Sequence, residues 1–256
     1  MLNPEQYETI TFERRDDGVV VATLNRPGRL NAVNARMHTE LSRIAYEFDA
    51  DPSMTVLVIT GAGRSFCSGG DFSDDPIGDD NAPMMLEGRR IVDHLLECRK
   101  PVISAVKGYA MGLGATLALL CDVVFAGRSA VFADTHVSIG LGAGDGGQVI
   151  WPLLMGVNRA KYFLMTGDRV PADEAERLGL VNFVVDDDEV LARAIELAHR
   201  LASGPLDAIM ASKVPINHWL RAHSAQILPY SIQIEERTAL SARSFAARQA
   251  MTNRMS

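Results

Sequence analysis

Three short apolar runs constrain the fold of this chain more than any other feature. Residues 55–60, 102–106 and 122–126 read as continuous, largely apolar strands, with helical patterns between them. Strands apolar on both faces belong inside a sheet covered by helices, which predicts α/β organisation. With 256 residues and 47% hydrophobic content, the chain can bury one sizeable core. Upstream, Ile10 and Phe12 alternate with polar residues over 7–14, and Asp16-Asp17-Gly18 leads into the apolar 19–24. That pattern predicts a hairpin. Asn25-Arg26-Pro27-Gly28 then breaks the strand. Asn34 is placed to cap a helix carrying Met37, Leu41, Ile44 and Phe48 on one face, ended by Asp51-Pro52.

Chemistry concentrates between Gly108 and Gly147. Gly112 and Gly114 flank Leu113 just before an apolar run over 115–121, so a glycine-rich loop opens a helix there. Backbone N–H groups at a helix start have no intrahelical acceptor and carry the positive end of its dipole, which suits a developing negative charge. The same glycines also suit a tight turn that lets a helix pack closely. A second glycine-rich turn, residues 61–71, follows the 55–60 strand, at the edge where α/β folds place ligand-binding loops. Beyond it, Asp74, Asp75, Asp79 and Asp80 with two prolines, through Pro83, predict a solvated lid-like loop; the spacing lacks the glycine and terminal glutamate of an EF-hand.

After Gly147 the chain reads as mostly helical. Residues 148–155, 159–165 and 172–178 are short helices broken by Gly156 and Gly167, and 181–185 is a last short strand. Asp188 is placed to cap a helix with the stripe Leu191, Ile195, Ala198 and Leu201. Beyond Gly204-Pro205, helices are expected with breaks near Pro215 and Pro229, exposing Trp219, Ile227, Leu228 and Tyr230. Such a tail packs on the main domain or on another subunit. The organisation expected is a core over 1–199 and a C-terminal helical region over 200–256. No internal sequence repeat is visible.

A net charge of −7 leaves no basic surplus to neutralise phosphates, which argues against nucleic acid as a partner. No apolar run reaches the roughly 18 residues of a membrane span. Cys67, Cys98 and Cys121 are odd in number and lack C-x-x-C spacing, which argues against a disulfide framework or a zinc site. A cytoplasmic protein without a bound metal is expected.

Four strings carry a family resemblance. LNRPGRLNAVN (24–34), GRSFCSGGD (63–71), KPVISAVKGYAMGLGATLALLCD (100–122) and LMTGDRVPADEAERLGLVN (164–182) resemble, in order and spacing, the crotonase superfamily, also called enoyl-CoA hydratase/isomerase. The resemblance implies a spiral of β-β-α units, a helical C-terminal region and homotrimers that pair into hexamers. It implies an acyl-CoA thioester as substrate, with coenzyme A arriving as part of it and no separate cofactor. The thioester oxygen would sit between the backbone N–H groups of Gly70 and Leu113. Coenzyme A would lie along Arg26, Arg29, Leu30 and Ala32 and along Ser68, Gly69, Asp71 and Phe72.

The departures bear on the reaction. Where hydratases of the usual type carry two glutamates, this chain has Thr116 and His136. Threonine is no base near neutral pH, which leaves Thr116 as pocket wall, whereas histidine exchanges protons there. Asp145, in Gly144-Asp145-Gly146-Gly147, lies where it could pair with His136, raise its pKa and fix its tautomer. Alternatively it caps the helix starting near Gly147. The pair also resembles that of an oxocamphor hydrolase-like branch, which cleaves carbon–carbon bonds of β-diketones. That branch's second histidine and active-site tryptophan have no counterpart here, and Glu235 or Glu236 could stand for its C-terminal carboxylate. The readings carried forward are enolate chemistry on an acyl-CoA, with β-diketone hydrolysis and a catalytically silent acyl-CoA-binding paralogue as alternatives. Nucleophilic attack by Asp145 is a further variant.

Overall fold

A computed structural model describes residues 1–71 and 82–247. Its nine strands form two sheets among these residues. The larger has the order β1 (Ile10–Arg14), β2 (Val19–Leu24), β3 (Val56–Gly61), β4 (Val102–Val106), β6 (Val123–Gly127) and β9 (Phe183–Val185). Only β1 runs antiparallel, as the hairpin partner of β2. The smaller sheet joins β5 (Tyr109–Met111), β7 (Val131–Ala133) and β8 (Val170–Pro171). Strands β3 and β4 are buried along their whole length, which is why they read as continuous apolar runs.

The two sheets come from one repeated unit. In β4–β5–α3 (α3, Leu113–Leu119) and β6–β7–α4 (α4, Gly147–Met155), the first strand enters the large sheet, the second enters the small one, and a helix follows. The two preceding turns of chain do the same with one-residue second strands. Cys67, after β3, bridges in parallel to Ala110 of β5, and Val33, after β2, bridges in parallel to Gly70. Their helices are α1 (Ala35–Asp49) and α2 (Ala82–Glu97). This is the expected α/β architecture of β-β-α units, and it stacks the loops following each second strand along one edge.

Local chemistry sets the element ends. The Asn34 side chain accepts from the N–H of Met37 and caps α1, whose Met37, Leu41, Ile44 and Phe48 are all buried. Such a cap contributes about 1 kcal/mol. Helices α5 (Val157–Thr166) and α6 (Ala172–Leu178) each end on a glycine in the left-handed region, at Gly167 and Gly179. All three cysteines are free and buried.

Several expectations are corrected. The residue capping α7 (Val190–Ala202) is Glu189 rather than Asp188, and no side chain bonds the cap. Its buried stripe is Val190, Ala194 and Ala198, while Leu191 is exposed. Helix α7 runs through 199–200, and the chain leaves helix only at 203–205. From Leu206 to Ala239 the chain forms a single helix, α8 (Leu206–Ala239), that continues through Pro215 and Pro229. Each interior proline forfeits a hydrogen bond at a cost of roughly 3 kcal/mol. Side-chain docking offsets it: Lys213 Nζ bonds Asp122 Oδ2 at 2.7 Å, Arg221 bonds Glu97 at 2.7 Å, and Leu228 is buried rather than exposed. Trp219 and Tyr230 do face solvent. No helix among the described residues is long and apolar enough to cross a membrane. The lid-like loop expected around Asp74–Asp80 lies outside the described residues.

Candidate active site

Two glycine loops meet because their strands pair. The N–H of Cys67 donates to Tyr109 O at 2.8 Å and that of Met111 to Cys67 O at 3.0 Å, so residues 67–70 lie beside the start of α3. Gly69 and Gly112 have φ of +90° and +50°, a region that side chains disfavour. A Cβ on Gly112 would also stand 3.3 Å from the His136 ring, and one on Gly114 would strike Cys67 within 2.9 Å. The glycine pattern therefore does two jobs, one conformational and one steric. Among the described residues, neither Gly70 nor Leu113 donates a backbone hydrogen bond outside a helix or strand, and Leu113, first in its helix, has no intrahelical acceptor.

A cavity of about 380 Å³ opens here. Leu30, Ser68, Gly69 and Gly70 form one side of it, and Met111, Gly112 and His136 another. Arg26 and Asp71, both expected along coenzyme A, pair with each other at 2.9 Å, and Arg26 also bonds Ala32 O. They tie the first loop to the second. Arg29 is exposed and Ala32 buried. Phe72 lies outside the described residues. Asn31, not singled out from the sequence, is fully buried and ties its loop to Ala62 O and Ser65 O at 2.9 and 2.8 Å.

His136 follows β7 and faces three carboxylates. Its Nδ1 lies 2.7 Å from Asp134 Oδ1; its Nε2 lies 3.3 Å from Asp145 Oδ2 and 3.8 Å from Glu235 Oε1. Asp145 does not cap α4, whose N-cap is Gly146 with no side-chain bond. Its other oxygen accepts from Thr116 Oγ1 at 3.3 Å, and Thr116 is fully buried. Glu235 arrives from α8, whereas Glu236 is exposed. Asp134, wholly buried, was missed by sequence reasoning. Its signal was the Asp-Thr-His spacing, because an aspartate readily accepts from the backbone N–H two residues on.

Charge follows from this geometry. Burial alone would lower the His136 pKa, but the facing charges of Asp145 and Asp134 outweigh it and hold the ring well above its ordinary value. Burial would raise Asp145, yet the imidazolium charge and hydrogen bond leave it below the usual carboxylate value. Glu235 is pushed by burial up to about 8, the His136 charge opposing and Asp145 and Asp134 adding. Asp134, His136 and Asp145 also bring ligand atoms within 4.8 Å of one another, but both ring nitrogens already face carboxylates at hydrogen-bonding or near-bonding distance. These directions favour the charged form of both His136 and Asp145.

The fold and this site define an α/β protein of β-β-α units with a buried histidine–carboxylate cluster beside a glycine-lined cavity, and comparison places it among enzymes of the lyase or isomerase type. Residues 14–251 match the family described as enoyl-CoA hydratase/isomerase, and the chain belongs to that family. It is 39% identical over 210 residues to a 1,2-epoxyphenylacetyl-CoA isomerase of Escherichia coli K12, covering 79% of each chain. It is 34% identical to a probable enoyl-CoA hydratase of Rhizobium meliloti, covering 88% of this chain and 87% of that one. Among solved structures, an enoyl-CoA hydratase/isomerase from Mycobacterium paratuberculosis superposes with a TM-score of 0.88 at 38% identity, covering 94% of this chain and 98% of that one.

Proposed function

We propose that this enzyme moves a proton on an acyl-CoA thioester through an enolate, with Asp145 as base and His136 as acid. The carrying observation is the 3.3 Å approach of two groups whose surroundings drive their pKa values apart, beside the cavity that the glycine loops line. Both side chains keep a small opening, 11% and 13% of their surface, so both can meet a bound substrate. The thioester oxygen would rest between the N–H groups of Gly70 and Leu113, which strengthen their bonds as it becomes an enolate. Removing one such donor in other enzymes costs roughly 3 to 4 kcal/mol of barrier.

Double-bond isomerisation is the reaction one acid–base pair serves by itself. Asp145 takes a proton from one carbon, the enolate delocalises, and His136 returns a proton to another. Ordinary hydration needs a second water-activating carboxylate, and Thr116 stands at that position. The Escherichia coli relative is named an isomerase of an acyl-CoA, in its case an epoxide, which supports the substrate class rather than the double-bond shift.

Coenzyme A would lie over Leu30, Ser68 and Gly69, with Arg26 and Asp71 bracing the loops behind it. A homotrimer or homohexamer is supported by exposed apolar residues: Val157, Tyr162 and Met165 on α5, Trp219 and Tyr230 on α8.

β-Diketone hydrolysis has one specific observation in its favour, Glu235 at 3.8 Å from His136. A substrate panel separates the readings. Positional isomers of enoyl-CoA should interconvert and should raise the melting temperature on binding. Turnover of free β-diketones alone would establish the second reading, and thioester binding without turnover would mark a silent paralogue.

A further inference from the structure

Asp134 follows β7 directly and none of its surface is exposed. One oxygen accepts from the His136 ring at Nδ1, 2.7 Å away, and lies 3.3 Å from the His136 backbone N–H. The other has no hydrogen-bond partner and lies 2.3 Å from where a Cβ would stand on Gly147, the first residue of α4. Only a residue without a side chain at 147 leaves room for this carboxylate. The helix start behind it supplies the positive end of a dipole.

We propose that Asp134 is the positioning residue of this site: it holds His136 by Nδ1, so that the ring meets Asp145 and substrate through Nε2 alone. The inference rests on the proton-transfer reading above and assigns a part to a residue that reading does not use. Asp145 cannot fill the role, because it stands at Nε2, the nitrogen that has to exchange the proton. Without an acceptor at Nδ1 the ring could place its proton on either nitrogen and turn in its pocket; with one, a single orientation survives each proton transfer.

The groups that face the ring are Asp134 after β7, Asp145 from the loop before α4, and Glu235 from α8. Asp145 is in turn bonded by Thr116 of α3 and feels the charge of His38 in α1. Asp134 is the facing carboxylate closest to the ring, and its loss should be felt in the ring's own titration.

Isotope-edited NMR of the labelled His136 imidazole tests this without requiring turnover. In the wild-type protein at neutral pH, Nδ1 should carry a proton held in a hydrogen bond. In Asp134→Asn, whose amide oxygen can still accept both N–H groups, the ring should titrate at least about one pH unit lower. Turnover of any accepted thioester should fall at least about tenfold with KM little changed. An anchor of merely structural kind would leave the titration where it was, and an unchanged titration in a folded Asp134→Asn protein overturns the proposal. Should that variant not fold, the wild-type spectrum taken above the ring's titration decides: a bare Nδ1 in the neutral ring overturns the proposal, and a proton kept on Nδ1 supports it. A site with the expected ring state but no thioester activity would remove the functional reading and leave this one standing.

Discussion

An imidazole between two carboxylates is a different reagent from one paired with a single aspartate. Asp134 at Nδ1 and Asp145 at Nε2 both favour the charged ring, and on the proposed reading His136 acts as the acid and Asp145 as the base. His136→Ala should reduce turnover by about 10² to 10⁴, the range of a positioned acid–base group, and Asp145→Asn by nearly as much. The double variant should lose little more than the worse single one, since groups acting as a unit are strongly non-additive. Additive losses measured by steady-state kinetics would mean separate roles, and an intermediate trapped on Asp145 would make it a nucleophile.

Glu235 gives the same cluster a stability signature. Between its ordinary value of 4.5 and about 8, the folded chain keeps a proton there that the unfolded chain has lost. Stability therefore falls as pH rises through that window, and the loss is complete above it. Glu235→Gln removes this titration. Its melting temperature should match the wild type near about pH 5 and exceed it near about pH 8.5. Curves that run parallel across the window would contradict the placement of a protonated Glu235. The sequence showed His136 as a candidate because it stands where hydratases of the usual type carry a glutamate, and Asp145 because it lies in the nearby glycine-rich turn 144–147. It left Glu235 and Glu236 undecided, since only the docking of α8 turns one inward and the other out.

Elements with local signals were legible; those decided by tertiary packing were not. Helix α1 was readable from Asn34 and a buried face at helical spacing, and the central strands from uninterrupted apolar runs. Helix α8 was misread as broken because proline's local cost is visible in a sequence and the contacts that offset it, Lys213 with Asp122 and buried Leu228, are not. The shift of the α7 stripe has the same origin: Val190, Ala194 and Ala198 pack against the sheet, and small residues there bring the helix close. At α3 the helix start and the 67–70 loop are fitted to each other. Gly114→Ala would place a methyl within 2.9 Å of Cys67 atoms. Overpacking of this kind costs about 1–3 kcal/mol, and chemical denaturation should show it as a lowered midpoint with an unchanged slope. A variant as stable as wild type would mean that the two loops have slack.

At the scale of the whole molecule, four turns of chain repeat one geometry with no repeat in sequence. What recurs is burial and the need for small residues at strand ends, and many sequences meet those conditions. The repeat matters for function because it lines up the loops after successive second strands, bringing Gly70, Gly112 and His136 to one cavity. The apolar residues left exposed on α5 and α8 predict association, and the family resemblance implies three or six chains, to be read by light scattering; a 27.8 kDa particle at micromolar concentration would contradict it. The central claim, that this site makes a thioester enolate with its own acid–base pair, has a direct test. Wild-type protein incubated with an acyl-CoA or enoyl-CoA in deuterium oxide should exchange the carbon-bound proton next to the thioester for solvent deuterium, followed by NMR or mass spectrometry. His136→Ala and Asp145→Asn should each suppress that exchange. Thioester bound without exchange, or exchange undiminished in both variants, would contradict the account.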